Sequence, residues 1–385
     1  MADRESASEL IARLAPGIAG LDAAQWNACA GDIDPFLSHD FLAALEESGS
    51  VGPGTGWQPA PILIEGKNDE ILACTPAYLK NHSQGEYVFD HAWADAWERA
   101  GGSYYPKLQI AVPFSPVPGE RLLMRDKERS DLAYGLIAAA EQMVQQNELS
   151  SAHATFVTPE QIPLFEAAGW LIRQDSQFHW ENAGYASFDD FLAALSSAKR
   201  KTLRKERARA QEGLEIVQLS GDAIRPEHWG AFWQFYQDTG SRKWGRPYLT
   251  RTFFDLISER MAEKILLVLA LRDGQPIAGA LNLIGADALY GRYWGCTEDA
   301  PFLHFELCYY QAIDFAIMRG LKRVEAGAQG GHKLVRGYKP VATWSAHYIA
   351  DANFRAAVDR FLSQERQAVE RDRAWLDERT PFKKS

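Results

Sequence analysis

The segment AGAQGGHKLVRGYKP, residues 326–340, places Gln329, His332, Lys333, Arg336 and Lys339 within eleven residues. Gly330, Gly331 and Gly337 let its backbone approach a ligand or take positive φ. A donor-rich loop after an apolar run suits phosphate, carboxylate or a developing oxyanion. The plainer reading is a solvated turn between two strands. Binding groups concentrate on loops held by a rigid scaffold, which favours a functional loop.

His304 and Glu306 come next, among Phe305, Leu307, Cys308, Tyr309 and Tyr310. A helix so apolar is buried, and a carboxylate there resists ionisation and can serve as a general base near neutral pH. Equally, Glu306 is an acid complementing the helix dipole beside a core histidine. In DTGSRKWGRPYL, 238–249, Arg242, Lys243 and Arg246 alternate with Trp244 and Tyr248. Cations beside aromatics stack on a base or clamp an anion; the alternative is an ordinary interhelical loop.

The fourth feature is AKRKTLRKERARAQ, 198–211. Lys199, Arg200, Lys201, Arg204, Lys205, Arg207 and Arg209 stand against Glu206 alone, with Leu203 the one large apolar residue. Such a helix is expected to lack a core-facing stripe, and to project into solvent or lie along a polyanion. Sharper chemistries are set aside by motif. The chain has no phosphate loop of the G-x-x-x-x-G-K-[ST] type, no G-x-G-x-x-G turn and no H-E-x-x-H helix. It has no G-x-S-x-G elbow. Its nine histidines lack ligand spacing, so no metal site is expected.

These residues need elements to hold them. A chain of 385 residues exceeds the roughly 250–300 at which single cores stop growing, so two domains are expected. Apolar residues make up 46% and charged residues 24%, which excludes a disordered or collagen-like chain. Lys and Arg number 41 against 51 Asp and Glu, a net charge of −10, so any polyanion contact must be local. Cys29, Cys74, Cys296 and Cys308 show no C-x-x-C spacing and read as reduced thiols of a cytosolic protein. The start MADRESASELIARL lacks an apolar signal region, and no apolar run reaches 18 residues. A soluble, cytoplasmic protein is the expectation.

The first half reads as helices at 5–14 and 38–47, a Gly-rich loop at 49–56, and strands at 61–66, 71–80 and 107–114. A helix at 130–146, a strand at 153–158, a short helix and the strand 171–180 follow. The second half repeats that order. A helix at 187–212 and the strand LEIVQL precede helices 226–238 and 250–260. Three strands at 265–295, helix 301–319, strand 323–328 and a C-terminal helix 352–378 complete the chain.

Four segments carry a resemblance: FDHAWADAWERAGGSYYPKLQIAVPFSPVPGERLL (89–123), TGSRKWGRPYL (239–249), FLHFELCYYQAIDFAIMRGLKR (302–323) and EAGAQGGHKLVRGYKPVATWSAHYI (325–349). They resemble a bacterial family of predicted N-acyltransferases, grouped with the FemAB-like peptidoglycan biosynthesis/recognition proteins. The resemblance implies an α+β fold of two tandem GNAT-like domains, 1–180 and 181–385, the second including the basic helix 196–212 and the C-terminal helix. It also implies transfer of an acyl or aminoacyl group to an amine of a peptidoglycan precursor or an amino-acid-like molecule. No tightly bound cofactor is expected; acyl-CoA or aminoacyl-tRNA is the co-substrate.

In GNAT-like units the donor sits where two central strands splay, which here falls between 288–295 and 323–328. On that frame Glu306 or His304 takes the amine proton. Gln329, Gly330, Gly331, His332, Lys333 and Arg336 hold the carbonyl oxygen or donor phosphate, with Lys243, Trp244 and Arg246 alongside. Lys199, Arg200, Arg204 and Lys205 meet a polyanion such as tRNA. The GNAT pyrophosphate loop Q/R-x-x-G-x-G/A has no counterpart in CTEDAPFLHF, 296–305; the nearest substitute is SPVPGER, 115–121, with Arg121. The alternative function is a non-catalytic recognition protein of the same fold, binding a cell-wall fragment or tRNA.

Overall fold

The computed structural model describes residues 11–243, 247–328 and 330–383, without the side chains of 240–243. The N-terminal half runs β1 (Ile11–Leu14), α1 (Ala23–Ala30), α2 (His39–Glu47), β2 (Trp57–Pro59), β3 (Ile62–Glu65), β4 (Ile71–Thr75) and β5 (Ala77–Lys80). It continues with α3 (His91–Arg99), β6 (Lys107–Ile110), β7 (Leu123–Met124), α4 (Ser130–Gln146), β8 (Ser151–Val157), α5 (Ile162–Ala167) and β9 (Leu171–Glu181). The C-terminal half has α6 (Phe188–Ala194), α7 (Ser197–Ala210), β10 (Glu215–Leu219), α8 (Pro226–Lys243) and α9 (Arg251–Met261). Strands β11 (Ile265–Arg272), β12 (Gln275–Ile284) and β13 (Ala288–Cys296) follow. Then α10 (Leu303–Phe305) passes through one π-helical turn into α11 (Gln311–Met318), before β14 (Arg323–Glu325), β15 (Lys339–Ile349) and α12 (Ala352–Asp377).

One eleven-stranded sheet carries both halves, in the order β10-β11-β12-β13-β14-β9-β15-β8-β6-β5-β2. Each half contributes one parallel junction: β6 with β8 over Leu108–Ile110, and β13 with β14 over Ala288–Tyr290. Beside each junction the halves exchange a strand. β15 from the C-terminal half pairs with β8, and β9 from the N-terminal half pairs with β14. The repeated meander, helix and parallel strand make two tandem GNAT-like units in an α+β fold, as the resemblance implies. Hydrogen bonding of the sheet runs across the expected division at 180/181.

Strand alternation sorts the side chains onto two faces. On one, Leu108, Ile110, Ala152 and Ala154 pack with the apolar stripe of α4, including Leu132, Leu136 and Ile137. In the C-terminal half Leu289, Val324 and Trp180 lie with Leu307 and Ile313 of the α10–α11 segment. The opposite face, with Leu281, Leu283 and Tyr290, shares a core with both halves. Phe36 meets Tyr290 edge-on at 5.3 Å and Phe41 meets Phe253 at 5.6 Å, fixing the N-terminal helices against the second unit. Such aromatic pairs add about 0.5–1.5 kcal/mol each beyond their burial.

Several expectations are corrected. Ile11–Leu14 is not helical but pairs with β3; residues 5–10 lie outside the described residues. The helix expected over 187–212 is two, because Leu195 takes extended dihedrals and bridges to Phe382. Pro76 divides 71–80 into β4 and β5, and β14 ends at Glu325. Among the described residues no helix is long and apolar enough to cross a membrane.

Candidate functional site

Strands β13 and β14 pair from Ala288↔Arg323 to Tyr290↔Glu325. Opposite β12, β13 slips register: Asn282 faces Gly291 and Leu281 faces Tyr293, leaving Arg292 without an opposite residue. A bulge of this kind bends the strand and re-aims a side chain. Glu325 ends β14 and is 4% exposed. Its Oε1 accepts from Arg323 Nε at 2.8 Å, while Oε2 has no hydrogen-bond partner and lies 3.7 Å from His179 Nε2. Burial pushes the Glu325 carboxyl up to about 7, against the pull of Arg323. Arg292 donates through Nη2 to the Phe114 carbonyl and lies 5.6 Å from the Phe36 ring; its Nε is buried without a partner.

The N-terminal half adds Asp34. Its Oδ1 caps the short turn Pro35–Leu37 by accepting from the Phe36 N–H at 2.9 Å, and its Oδ2 has no partner. Burial raises this carboxyl to about 6. The preceding residue is tied to the β12–β13 turn, where Ala286 N–H donates to the Ile33 carbonyl at 3.0 Å. Gly119 has no room for a side chain: a Cβ there would lie 2.5 Å from Asp34 Oδ2 and 3.0 Å from Arg121 Nη1. Each unsatisfied buried polar atom costs about 1–3 kcal/mol. Buried atoms without hydrogen-bond partners around this junction also include Asp287 Oδ1 and Trp180 Nε1; among them, Glu325 Oε2, Asp34 Oδ2 and Arg292 Nε match a ligand carrying both an ammonium and an oxygen acceptor. Sequence reasoning missed all three residues. The available signal for Glu325 was a lone acid in an apolar strand beside the expected splay.

The expected residues form a second cluster around the start of α10. The His304 ring is 5.2 Å from Trp294, 5.4 Å from Tyr309 and 6.3 Å from His332. Tyr309 Oη and His332 Nε2 are 3.0 Å apart, and burial lowers the His332 pKa. Lys333 is 5% exposed, donates to the carbonyls of Ala326 and Gly327, and is pushed down to about 8 by burial. Arg336 donates to Tyr310 Oη at 3.1 Å, the His332 carbonyl at 2.7 Å and Glu206 at 2.6 Å, with its guanidinium 3.4 Å from the Phe305 ring centre. Lys333 and Arg336 are therefore struts that shape the loop, and their bonds run inward. Gly330 and exposed Gly331 lie beside His332, and Gly331 has open space where a Cβ would stand. Gln329, Trp244 and Arg246 lie outside the described residues, and Lys243 ends α8.

Glu306 is fully buried between helices. Its Oε1 accepts from Arg207 Nε at 3.3 Å, Gln211 at 2.8 Å and Gln311 at 2.7 Å. Burial raises its pKa against the Arg207 charge. Val324 points to the α11 side of the sheet and Glu325 to the other, so Glu306 and Glu325 stand on opposite faces.

The basic helix corrects the expectation of a projecting arm. Leu203 is fully buried, Glu206 binds Tyr310 and Arg336, and Arg207 binds Glu306 and Asp314, so α7 is docked along α10–α11. Its outer side holds a shallow groove lined by Arg200, Lys201, Arg204 and Lys205; Lys199 does not line it. The segment 115–121 is likewise not open to a phosphate on Arg121. That fully buried guanidinium donates to the carbonyls of Thr155 and Val117, each at 2.8 Å, and fills the junction of the N-terminal half.

Solved structures align with the chain over most of its length. The crystal structure of FemX aligns at 11% identity over 88% of this chain and 98% of its own, with a TM-score of 0.55. L-PGS from Bacillus licheniformis aligns at 12% identity over 86% and 98%, with a TM-score of 0.51. A tandem GNAT protein from the clavulanic acid biosynthesis pathway aligns at 10% identity over 89% and 99%, with a TM-score of 0.47. No curated protein matches the chain by sequence. The FemAB-like family, described as peptidoglycan biosynthesis/recognition, matches residues 17–384, and the chain belongs to it.

Proposed function

We propose that the protein is an N-acyltransferase or aminoacyltransferase whose reaction takes place at the β13–β14 junction. Family membership supports acyl or aminoacyl transfer at that coarse level. The observation that carries the reading is the unpartnered Oε2 of Glu325, buried where the two strands part. An attacking amine must lose a proton, and Glu325 Oε2 takes it, directly or through water. The amine nitrogen bonds to the acyl carbon as the donor's C–O or C–S bond breaks. The leaving oxygen or sulfur receives a proton. Holding both substrates together makes a covalent enzyme intermediate unnecessary.

The donor, acyl-CoA or aminoacyl-tRNA, lies along the opening with its polar end toward His304, His332 and Gly331. Lys333 and Arg336 keep that loop in shape. The cationic groove of α7 receives the donor's phosphates, and the Glu206–Arg336 ion pair ties that helix to the loop. Gln329, Lys243, Trp244 and Arg246 remain proposed donor contacts. The units 1–180 and 181–385 divide the work, the first closing the acceptor side with Asp34 and the second holding the donor. The test is mass-detected transfer to an amine panel from CoA thioesters and charged tRNAs. Transfer from one donor class supports the reading. No transfer by folded protein from either class leaves a recognition protein.

A further inference from the structure

Glu325, Arg292 and Asp34 come from three separate segments that meet where the second unit's parallel strands part. Two of them are more than nine-tenths buried carboxylates, Glu325 at 4% and Asp34 at 8% exposure, each with one oxygen left unpartnered. The third is a guanidinium whose Nη2 is held by the Phe114 carbonyl and whose Nε has no partner. Arg292 is close enough for its charge to act on Glu325. A carboxylate accepts hydrogen bonds from an ammonium, and a guanidinium N–H donates to a carboxylate. A simple amine would satisfy the acids and leave Arg292 Nε open.

We infer that the acceptor is an α-amino carboxylate, its ammonium received by Glu325 with Asp34 behind it and its carboxylate received by Arg292 Nε. This rests on the transfer reading only for the word acceptor; the binding site is testable without turnover. The positions are built rather than incidental. The β13 bulge sets Arg292 out of register, the Ile33 carbonyl anchors the Asp34 segment to the second unit, and Gly119 leaves space for the Asp34 carboxylate. Asp34 lies within range of the Glu325 charge, with Arg121 and Arg323 acting on it too, while Arg323, Asp287 and Arg292 act on Glu325. Asp34 is a positioning residue, whereas Glu325 and Arg292 touch the ligand.

The experiment is a binding titration of the full chain with L-alanine, ethylamine and propionate, followed by ligand-detected NMR at pH 7.5. The inference expects L-alanine to bind at least tenfold more tightly than either fragment. Arg292→Gln should bring L-alanine within threefold of ethylamine, and Arg292→Lys should recover part of the difference. Glu325→Gln should weaken L-alanine and ethylamine and spare propionate. Asp34→Asn should shift the pH at which ethylamine binding is half-lost while leaving propionate binding unchanged. Thermal melts of each variant identify any that fail to fold; where Arg292→Gln does, the Arg292→Lys and Glu325→Gln comparisons decide. Equal affinity for L-alanine and ethylamine, or no measurable binding of L-alanine, overturns the inference. Arg292-dependent L-alanine binding by a protein that transfers nothing would uphold it and sink the transferase reading instead.

Discussion

His153 on β8 and His347 on β15 face each other in register with their Nδ1 atoms 2.7 Å apart. The pair joins the N-terminal unit to the strand it receives from the C-terminal one. His153 Nε2 meets Ser151 at 2.7 Å, His347 Nε2 meets Ser345 at 2.9 Å, and Trp93 stands edge-on to His347 at 4.9 Å. Asp90, Lys107 and Arg173 are the charged groups that act on both rings. Burial pushes His153 down to about 3 and His347 well below its ordinary value.

A pH dependence of stability follows, with its sign fixed by linkage. The folded pKa values lie below the unfolded value of about 6.5, so the unfolded chain takes up protons first as pH falls. The pair's contribution is complete above about pH 6.5 and declines toward pH 3. Glu86, Asp34 and Glu325 oppose it, since burial raises them to about 7, 6 and 7, and their contribution is lost as pH rises through those values. Comparison with His347→Gln isolates the histidine part. The stability gap between wild type and variant should narrow by about 2 kcal/mol from pH 7.5 to pH 5. Urea melts at the two pH values measure it, and a constant gap contradicts the assignment.

Glu306 should behave as a structural acid. Glu306→Gln loses charge-assisted bonds from Arg207, Gln211 and Gln311 and should lower stability by about 1.5–3 kcal/mol. Turnover of the folded variant should stay within roughly threefold of wild type, since Glu306 lies on the other face of the sheet from Glu325. A turnover loss of about 10²-fold or more with an unchanged melt would return Glu306 to the role of general base.

On α7, Gln at Arg200, Lys201, Arg204 and Lys205 leaves the buried side of the helix intact, because Leu203, Glu206 and Arg207 make its packing contacts. Stability should change by no more than about 0.5 kcal/mol per site. Binding to tRNA or a nucleotide-linked precursor should weaken. The log–log salt slope should flatten by roughly 0.7–0.9 per lost phosphate contact. A wild-type protein with no salt-dependent polyanion binding would leave the groove a solvated face.

How much was legible varies with the range of the forces involved. The helix 130–146 and the strands within 265–295 stand where periodicity and turn residues set them. So does the helix expected over 38–47, which the Ser38 hydroxyl caps by accepting from the Phe41 N–H. These are local signals. Ile11–Leu14 became a strand because β3, some fifty residues away, pairs with it, and a short apolar pattern fits either structure. The break at Leu195 depends on Phe382, and the exchange of β9 and β15 depends on pairing across the whole chain. The site divides the same way. His304 and His332 could be read from a loop and a helix start, whereas Asp34, Arg292 and Glu325 are solitary residues in unrelated segments that only the fold unites.

The most direct test of the central claim is single-turnover transfer from a donor accepted by the wild type, comparing wild type with Glu325→Gln across pH 5.5–8.5. With Glu325 as proton acceptor, the wild-type rate rises as pH passes about 7, where the carboxyl ionises. Glu325→Gln should be roughly 10²–10⁴-fold slower at pH 8, with that rise abolished and donor affinity retained. A Glu325→Gln protein that transfers at the wild-type rate with the wild-type pH profile would contradict the account.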